Sequence, residues 1–259
     1  MSVLASDFIT QKDKLEDYFA ELESHSLDLA LIIQGKSESS LGRLDNMSGK
    51  IIWSADIGLS KSRNLALNQC KTRFLICSDW DTRYSVSSLL ELSSKINTIA
   101  DHIPFIRFGV LRADNFENAY QVLLSQENSE NITIENKNSS LGLTSIASVQ
   151  ICWNMNFIHK YGLQFDETLG LGNKSILPSF GEEYLLALQC LAITDSYGET
   201  TEVFGVTHGK STGIKSSKVE RVLLAFYCFL QLSKTSPAKS TKIVFQRLKR
   251  ILLRFVKPG

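Results

Sequence analysis

The sequence has 259 residues, of which 43% are hydrophobic and 21% are charged, and its formal net charge is +1. This length and composition are typical of one large α/β domain with a full core, and the balanced charge gives no global sign of nucleic-acid binding. Five scattered cysteines without a C-x-x-C pair argue against a disulfide framework and indicate free thiols in a reducing compartment.

Short β-rich runs alternate with helical patterns along the chain, which predicts a mostly parallel central sheet with helices on both faces. The predicted strands are residues 2–6, 27–34, 50–54, 73–78, 104–111, 148–153 and 202–207. The predicted helices are residues 10–24, 60–70, 85–100, 182–192 and 219–232, the second of them capped by Ser60. The polar, asparagine-rich stretch 125–140 is expected to form a loop or an excursion at the edge of the sheet.

The fourth predicted strand ends in Asp79-Trp80-Asp81. In open α/β sheets, ligands bind beyond the carboxyl ends of the strands, so this is the first place to expect a site. Hard divalent cations such as Mg²⁺ and Mn²⁺ prefer carboxylate oxygens together with substrate phosphates. The pair therefore suits a metal that bridges the two phosphates of a nucleotide, and the alternative is a solvated turn.

The second motif is Gly-Leu-Ser-Lys-Ser-Arg-Asn at residues 58–64, where a predicted helix begins. The free backbone N–H groups of a helix start, with the side chains of Lys61 and Arg63, would suit an anion. The alternative is a capped helix start whose charges are solvated.

The third motif is Phe-Asp-Glu at residues 165–167, followed by a glycine-rich loop and by Gly-Glu-Glu at residues 181–183, where another helix begins. A carboxylate here would suit a general base that removes a proton from an attacking hydroxyl. The alternative is that acidic residues in a first helical turn only complement the helix macrodipole.

In their order and spacing, these three motifs resemble the family-2 glycosyltransferases of the GT-A superfamily, in particular those of bacterial capsule and lipopolysaccharide synthesis. The resemblance implies a Rossmann-like GT-A domain over residues 1–215 and a C-terminal helical segment over residues 216–259. The implied activity is inverting transfer of a sugar from a nucleotide-diphosphate sugar to a glycan or lipid-linked glycan acceptor in cell-surface polysaccharide synthesis.

The resemblance also implies a divalent cation, Mn²⁺ or Mg²⁺, as cofactor, and roles for particular residues. The implied metal ligands are Asp79, Asp81 and His208, which directly follows the predicted strand 202–207. The alternative for His208 is a structural histidine. The implied nucleotide-sugar ligands are Arg63, Asn64 and Asp79. Gln34, which can donate and accept hydrogen bonds, and Trp80 are further candidates outside the family pattern, and the alternative for Trp80 is that it simply packs. The implied catalytic residues are Glu183, as the base, and its neighbour Glu182.

Other function classes remain open. The second predicted strand ends at Gln34, where family members usually carry an acidic residue. This departure leaves open a catalytically silent GT-A domain that binds nucleotide-sugar or scaffolds a glycan-assembly complex. A sugar-1-phosphate nucleotidyltransferase would need a glycine-rich phosphate loop near the N-terminus, and none is visible. Nucleic-acid binding has no motif in the sequence.

The last part of the chain, residues 234–259 (the tail), carries eight basic residues and no acidic one, which leaves 20 basic against 27 acidic residues elsewhere. Residues 242–257 have a helical pattern with an apolar face and a basic face, as suits a helix in the interface of an anionic membrane. The apolar face comprises Val244, Phe245, Leu248, Ile251, Leu252, Phe255 and Val256. The alternative is a helix that packs on the protein or on a dimer partner.

No stretch resembles a secretory signal or reaches the roughly 20 apolar residues of a membrane span. We therefore expect a cytoplasmic protein that lies on the inner face of the membrane through its tail.

Overall fold

A computed structural model of the chain describes residues 2–4, 21–22, 24–25, 27, 30–34, 50–79, 81–96, 98–125, 133–137, 147–172, 177–178, 180–208, 218–234 and 241. The predicted site residue Trp80, the predicted helix 242–257 and most of the predicted helix 10–24 lie outside these residues.

Two β-sheets form the centre of the fold. The first is parallel, in the order β1-β2-β3, and consists of β1 (Ser2–Leu4), β2 (Ala30–Gln34) and β3 (Lys50–Ser54). The second consists of β4 (Phe74–Ile76), β5 (Thr82–Tyr84), β6 (Phe105–Ala113), β7 (Glu135–Lys137), β8 (Ile151–Asn154) and β9 (Tyr197–His208). Its order is β4-β8-β6-β9-β5, and β7 also pairs with β9.

The second sheet is mixed. Strands β6 and β9 run parallel, whereas β4–β8, β6–β8, β5–β9 and β7–β9 are antiparallel pairs. The predicted α/β class is confirmed, but the expectation of mostly parallel strands holds for the first sheet and not for the second. Hydrophobic patterning identifies a strand without fixing the direction in which it pairs, which explains the difference.

The helices are α1 (Leu59–Gln69), α2 (Val86–Ile96), α3 (Phe116–Ser125), α4 (Met155–Lys160), α5 (Glu182–Thr194) and α6 (Lys218–Ser233). Helices α3 and α4 were not predicted, and residues 148–150 form a 3₁₀ turn before β8 instead of part of the strand. The predicted cap Ser60 lies within α1, where its hydroxyl donates to the carbonyl of Leu169 at 2.7 Å. In the predicted loop 125–140, the described residues include β7.

The main hydrophobic core lies between the second sheet and helices α1, α5 and α6. Trp153 of β8 and Phe105 of β6 meet edge to face at 5.5 Å between ring centroids, and Phe105 stacks on Tyr197 at 5.3 Å. Helix α5 is apolar on almost all sides, and most of its residues are buried, as is typical of a helix surrounded by protein. This burial fixes the N-terminus of α5, where Glu182 and Glu183 lie.

Candidate functional site

The two aspartates lie in the turn that connects β4 to β5. Buried Cys77 and Ser78 follow β4, and the backbone N–H of Thr82 then donates to the carbonyl of Asp79 at 3.1 Å to close the turn. Strand β5 pairs antiparallel with the end of β9, with Thr82 opposite Thr207. This register brings Asp81 next to the carboxyl end of β9, as the sheet-edge rule predicts.

Asp81 lies near His208, Thr207 and Arg112 at this edge. Burial raises the pKa of its carboxyl, while the charge of His208, a hydrogen bond with Thr207 and the charge of Arg112 oppose that rise. His208 is itself held by stacking on Phe116, at 4.6 Å between ring centroids. The structure therefore brings together two of the three predicted metal ligands, Asp81 and His208.

The guanidinium of Arg63 connects the two acidic motifs. Arg63 projects from the first turns of α1, and its side chain is 1% exposed. Its Nη1 donates to Glu182 Oε1 at 2.7 Å and to Glu183 Oε1 at 2.6 Å, and its Nη2 lies 3.6 Å from Asp79 Oδ1. We name these four residues the Arg63 cluster. The chain thus brings the acidic turn after β4 and the acidic start of α5 to one buried cation.

The electrostatics of the Arg63 cluster depend on three carboxylates around a single cation. Desolvation works against the charge of Arg63, but the carboxylates outweigh it and raise its pKa. Burial raises the pKa of Asp79; Arg63 opposes that rise, and the charges of Glu183 and Asp81 add to it. Removing Arg63 from this group would cost about 3–5 kcal/mol, because the buried carboxylates of Glu182 and Glu183 would be left without their cation.

The two glutamates at the start of α5 differ in exposure. The side chain of Glu182 is 2% exposed and that of Glu183 is 13% exposed. Desolvation and the charge of Glu183 raise the pKa of Glu182 well above its ordinary range, against the opposing charge of Arg63. Glu183 is therefore the member of the pair that a ligand can reach more easily.

Backbone geometry in the glycine-rich loop keeps Glu182 in place. Gly170 has φ +93°, and a Cβ at this position would lie 2.8 Å from Ser60 Oγ and 3.1 Å from Glu182 Oε1. Gly181, directly before α5, has φ +96°. Both positions require glycine, since a side chain would be strained at this φ and, at Gly170, would collide with Ser60 and Glu182.

Asn64 and Gln34 make hydrogen bonds within the protein. The side chain of Asn64 donates to the carbonyl of Phe165 at 2.9 Å and accepts from the N–H of Phe165 at 2.8 Å, so it ties α1 to the Phe-Asp-Glu motif. Gln34 accepts from the N–H of Gly58 at 2.7 Å and donates to Ser62 Oγ. Both residues hold the segments that carry the Arg63 cluster, and their predicted contacts with a nucleotide remain predictions.

Two residues beside Asp81, Arg112 and Thr207, were not predicted. They face each other in the register between β6 and β9, at the same carboxyl edge of the sheet. Thr207 directly precedes a predicted site residue, and Arg112 lies one position beyond a predicted strand. The sheet-edge rule applied to these two strands would have found both.

The donor chemistry at this edge fits a divalent cation of the oxygen-preferring kind. Such a cation is commonly held by one or two carboxylates together with the phosphates of a substrate, and Asp79 and Asp81 supply two. The Asp79 side chain is 43% exposed and so is accessible to a cation. In the described part of the chain there is no group of three or more acidic, histidine or cysteine side chains placed to hold a metal without a substrate.

No protein-family model matches the sequence, and no curated protein matches it either. The fold, by contrast, matches solved structures. Over 96% of this chain it resembles S. aureus TarS 1-349 in complex with UDP-GlcNAc, with a TM-score of 0.63, 13% sequence identity and 71% of that chain covered. The complex of the same protein with UDP gives a TM-score of 0.61 at 12% identity, with 96% of this chain and 70% of that chain covered.

A third solved structure with the same fold is glucosyl-3-phosphoglycerate synthase from Mycobacterium tuberculosis in complex with Mg²⁺ and UDP. It gives a TM-score of 0.50 at 11% identity, with 90% of this chain and 77% of that chain covered. At such identities a likeness establishes the fold alone. This chain has the GT-A fold of those glycosyltransferases, as its motifs predict.

Proposed function

We propose that this protein is a metal-dependent, inverting glycosyltransferase that moves a sugar from a nucleotide-diphosphate donor to a glycan or lipid-linked glycan acceptor in cell-surface polysaccharide synthesis. The observation that carries the proposal is the Arg63 cluster. Arg63 meets Glu182 and Glu183 across 119 and 120 positions of sequence, and it also lies beside Asp79. Sugar transfer requires a donor site and a base close to each other. The Arg63 cluster holds the turn that carries Asp79 next to the helix start that carries Glu183.

On the donor side, Asp79 and Asp81 would hold Mg²⁺ or Mn²⁺, with His208 beside them. When bound, the cation would supply electrostatic stabilisation of the negative charge on a leaving diphosphate. The residues of the chain would orient the donor: the turn between β4 and β5 fixes both carboxylates, and the stack of His208 on Phe116 fixes the imidazole. Trp80 would contribute to the donor site from its position between the aspartates.

On the acceptor side, the base would be Glu183, because its carboxylate is the more exposed of the two glutamates. The hydrogen bond from Arg63 would hold the Glu183 side chain in one orientation. Glu182 is almost fully buried, so an incoming hydroxyl would reach it less easily than Glu183, and it would act by positioning Arg63.

The reaction would be a single displacement. The acceptor oxygen would form a bond to the anomeric carbon while the bond from that carbon to the diphosphate oxygen breaks, its electron pair leaving with the diphosphate. The proton of the acceptor hydroxyl would pass to Glu183, and the configuration at the anomeric carbon would invert.

A second candidate is a catalytically silent GT-A domain that binds nucleotide-sugar or scaffolds a glycan-assembly complex. One observation favours it: both polar ends of the Gln34 side chain are already bonded, to Gly58 and Ser62. Gln34 also occupies the position after the second predicted strand where family-2 glycosyltransferases usually carry an acidic residue. A donor bound here would therefore have to contact residues other than Gln34.

The enzyme and the silent domain are distinguished by the slow hydrolysis of a bound donor and by the effect of Glu183→Gln on its rate. We expect this variant to lower kcat by about 10²- to 10⁴-fold, the range for loss of a general base, with the Kd for the donor nearly unchanged. Glu182→Gln should lower kcat much less. Glu117→Gln, an acidic residue in the first turn of α3, is the matched control.

If Glu183→Gln hydrolyses the donor as fast as the unmodified protein, the assignment of the base is wrong. If the unmodified protein binds a donor but turns over none, with water or with glycan acceptors, the silent domain is the better account.

We further propose that the tail holds the protein to the cytoplasmic face of the inner membrane, where lipid-linked acceptors would be met. The support is the charge of the tail: eight basic and no acidic residues, with an apolar face over residues 242–257. Each basic residue near an anionic surface contributes about 1 kcal/mol. None of the helices in the described ranges has the length and apolar character of a membrane span.

A further inference from the structure

Helix α6 is apolar on two opposite faces, and no described part of the chain covers one of them. The inner face comprises Leu224, Ala225, Cys228 and Leu232, all buried. The outer face comprises Val219, Val222, Leu223, Phe226 and Leu230, all at least 40% exposed. We name these five residues the α6 apolar face. Val219 is 67% exposed and Phe226 is 59% exposed.

The exposed side chains form one continuous stripe. Their spacing from Val219 is 3, 4, 7 and 11 positions, which places all five on one side of a helix with 3.6 residues per turn. The stripe is roughly 16 Å long at 1.5 Å per residue. Single exposed apolar residues need no explanation, but a contiguous stripe indicates a contact surface.

The inner face of α6 packs against the acceptor side of the candidate site. Tyr227 donates to Asp166 Oδ2 at 2.6 Å, next to the Phe-Asp-Glu motif. Leu224 lies against Gly181, where a Cβ would come within 2.4 Å of its Cδ2. Gly181 directly precedes Glu182 and Glu183. One helix, about 10 Å thick, therefore separates the α6 apolar face from the segment that carries the proposed base.

The basic tail that follows α6 indicates which kind of partner would contact the α6 apolar face. The tail begins at Lys234, directly after α6, and its basic residues have no acidic residue among them. A partner of both surfaces must be apolar for the stripe and anionic for the tail. A bilayer that contains anionic lipid meets both requirements.

We propose that the α6 apolar face is a membrane-contact surface that inserts Phe226 and its neighbours among the lipids of an anionic bilayer, with the start of α5 on the protein side of the same helix. This inference rests on the proposed membrane partner of the tail and adds a second, structured contact. The contact through α6 would orient the protein on the bilayer. An acceptor at the lipid surface would then reach the side of the domain where Glu183 lies.

Flotation of the full chain with lipid vesicles tests the proposal. The vesicles are three parts phosphatidylcholine to one part phosphatidylglycerol, with pure phosphatidylcholine as the neutral reference. The double variant Phe226→Ser with Leu230→Ser removes apolar surface from the stripe, and Val122→Ser is the matched control, a comparably exposed residue on α3. We expect the double variant to float at least about tenfold less with the anionic vesicles, with an unchanged Tm, and the control to float like the unmodified chain.

Equal flotation of the double variant and the unmodified chain would overturn the proposal. In that case a fall in Tm of the double variant would identify the chain's own tail as the cover of the face. If the unmodified chain is a dimer and the double variant a monomer, as measured by light scattering, a second copy of the chain would be identified as the cover of the face. Donor binding on the same samples separates the two proposals, because vesicle contact through α6 does not require a bound donor.

Discussion

Arg63 is the buried cation that three carboxylates share, two of them largely buried and that of Asp79 partly exposed. Two glutamates share one of its nitrogens, and an aspartate lies beside the other. A buried charge of this kind contributes little net stability, since desolvation offsets the attraction, but it strongly disfavours arrangements in which one partner is displaced. We infer that Arg63 fixes the geometry between the turn after β4 and the start of α5.

The buried carboxyl of Glu182 makes stability depend on pH. Its pKa in the folded protein is raised above the ordinary 4.5, so the folded state holds the proton more tightly than the unfolded chain. The resulting stabilisation is fully present below the ordinary value and is lost as pH rises through the raised one. Glu182→Gln keeps the shape and removes the titration.

We therefore expect Glu182→Gln to gain in Tm relative to the unmodified protein between about pH 5 and about pH 8, by the equivalent of on the order of 1 kcal/mol or more. Thermal unfolding across that range, with Glu117→Gln as control, measures the difference. Parallel curves of Tm against pH for the variant and the unmodified protein would refute a raised pKa at this position.

At this scale the sequence singles out the acidic residues of the cluster, but not the cation that joins them. Asp79 and Glu183 follow from the sheet-edge rule and from the motif order. Arg63 was expected beside a nucleotide, and its burial against two glutamates depends on packing between residues 119 and 120 positions apart. No local pattern contains that information.

At the scale of elements, α6 is joined to the domain through the Phe-Asp-Glu motif. The hydroxyl of Tyr227 donates to Asp166 Oδ2 at 2.6 Å and lies 2.9 Å from Thr168 Oγ1. Asp166 also accepts from Thr168, so the three polar groups form one network. Helix α6 thereby stabilises the loop that precedes the glycine-rich segment.

Tyr227→Phe removes that hydroxyl without changing the ring. We expect it to lower the free energy of unfolding by about 1–3 kcal/mol, because a hydrogen bond to a carboxylate is lost. Denaturant unfolding measures the change. The control is Tyr161→Phe, since within the described part of the chain the hydroxyl of Tyr161 makes no hydrogen bond. A stability equal to that of the control would show that the bond does not dock α6.

Element boundaries follow from the sequence for several of the longer helices. The predictions for α1, α5 and α6 agree with the structure to within two residues at each end. Helix α4 has six residues, too few for a helical period to be seen, and β9 begins five positions before the predicted strand. Short elements are defined by their neighbours more than by their own residues.

At the scale of the whole molecule, the motifs predicted the GT-A fold although neither the family models nor the curated proteins match the sequence. The direction of the strands in the second sheet was not predictable, because it is set by the paths of connections that leave no periodic signal. The fold brings the ends of β4 and β9 and the start of α5 to one edge, and the proposed activity depends on that edge.

The most direct test of the account is donor binding and slow hydrolysis across UDP-, GDP-, CMP- and TDP-sugars, each with Mn²⁺, with Mg²⁺ and with EDTA. We expect one donor to bind and to be hydrolysed only when a cation is present. We expect Asp81→Asn to weaken that binding by at least about tenfold, because it removes a carboxylate ligand, and Asp101→Asn, an exposed aspartate, to leave it unchanged. If no donor binds to the folded protein under any of these conditions, the assignments of Asp79, Asp81 and Glu183 are wrong.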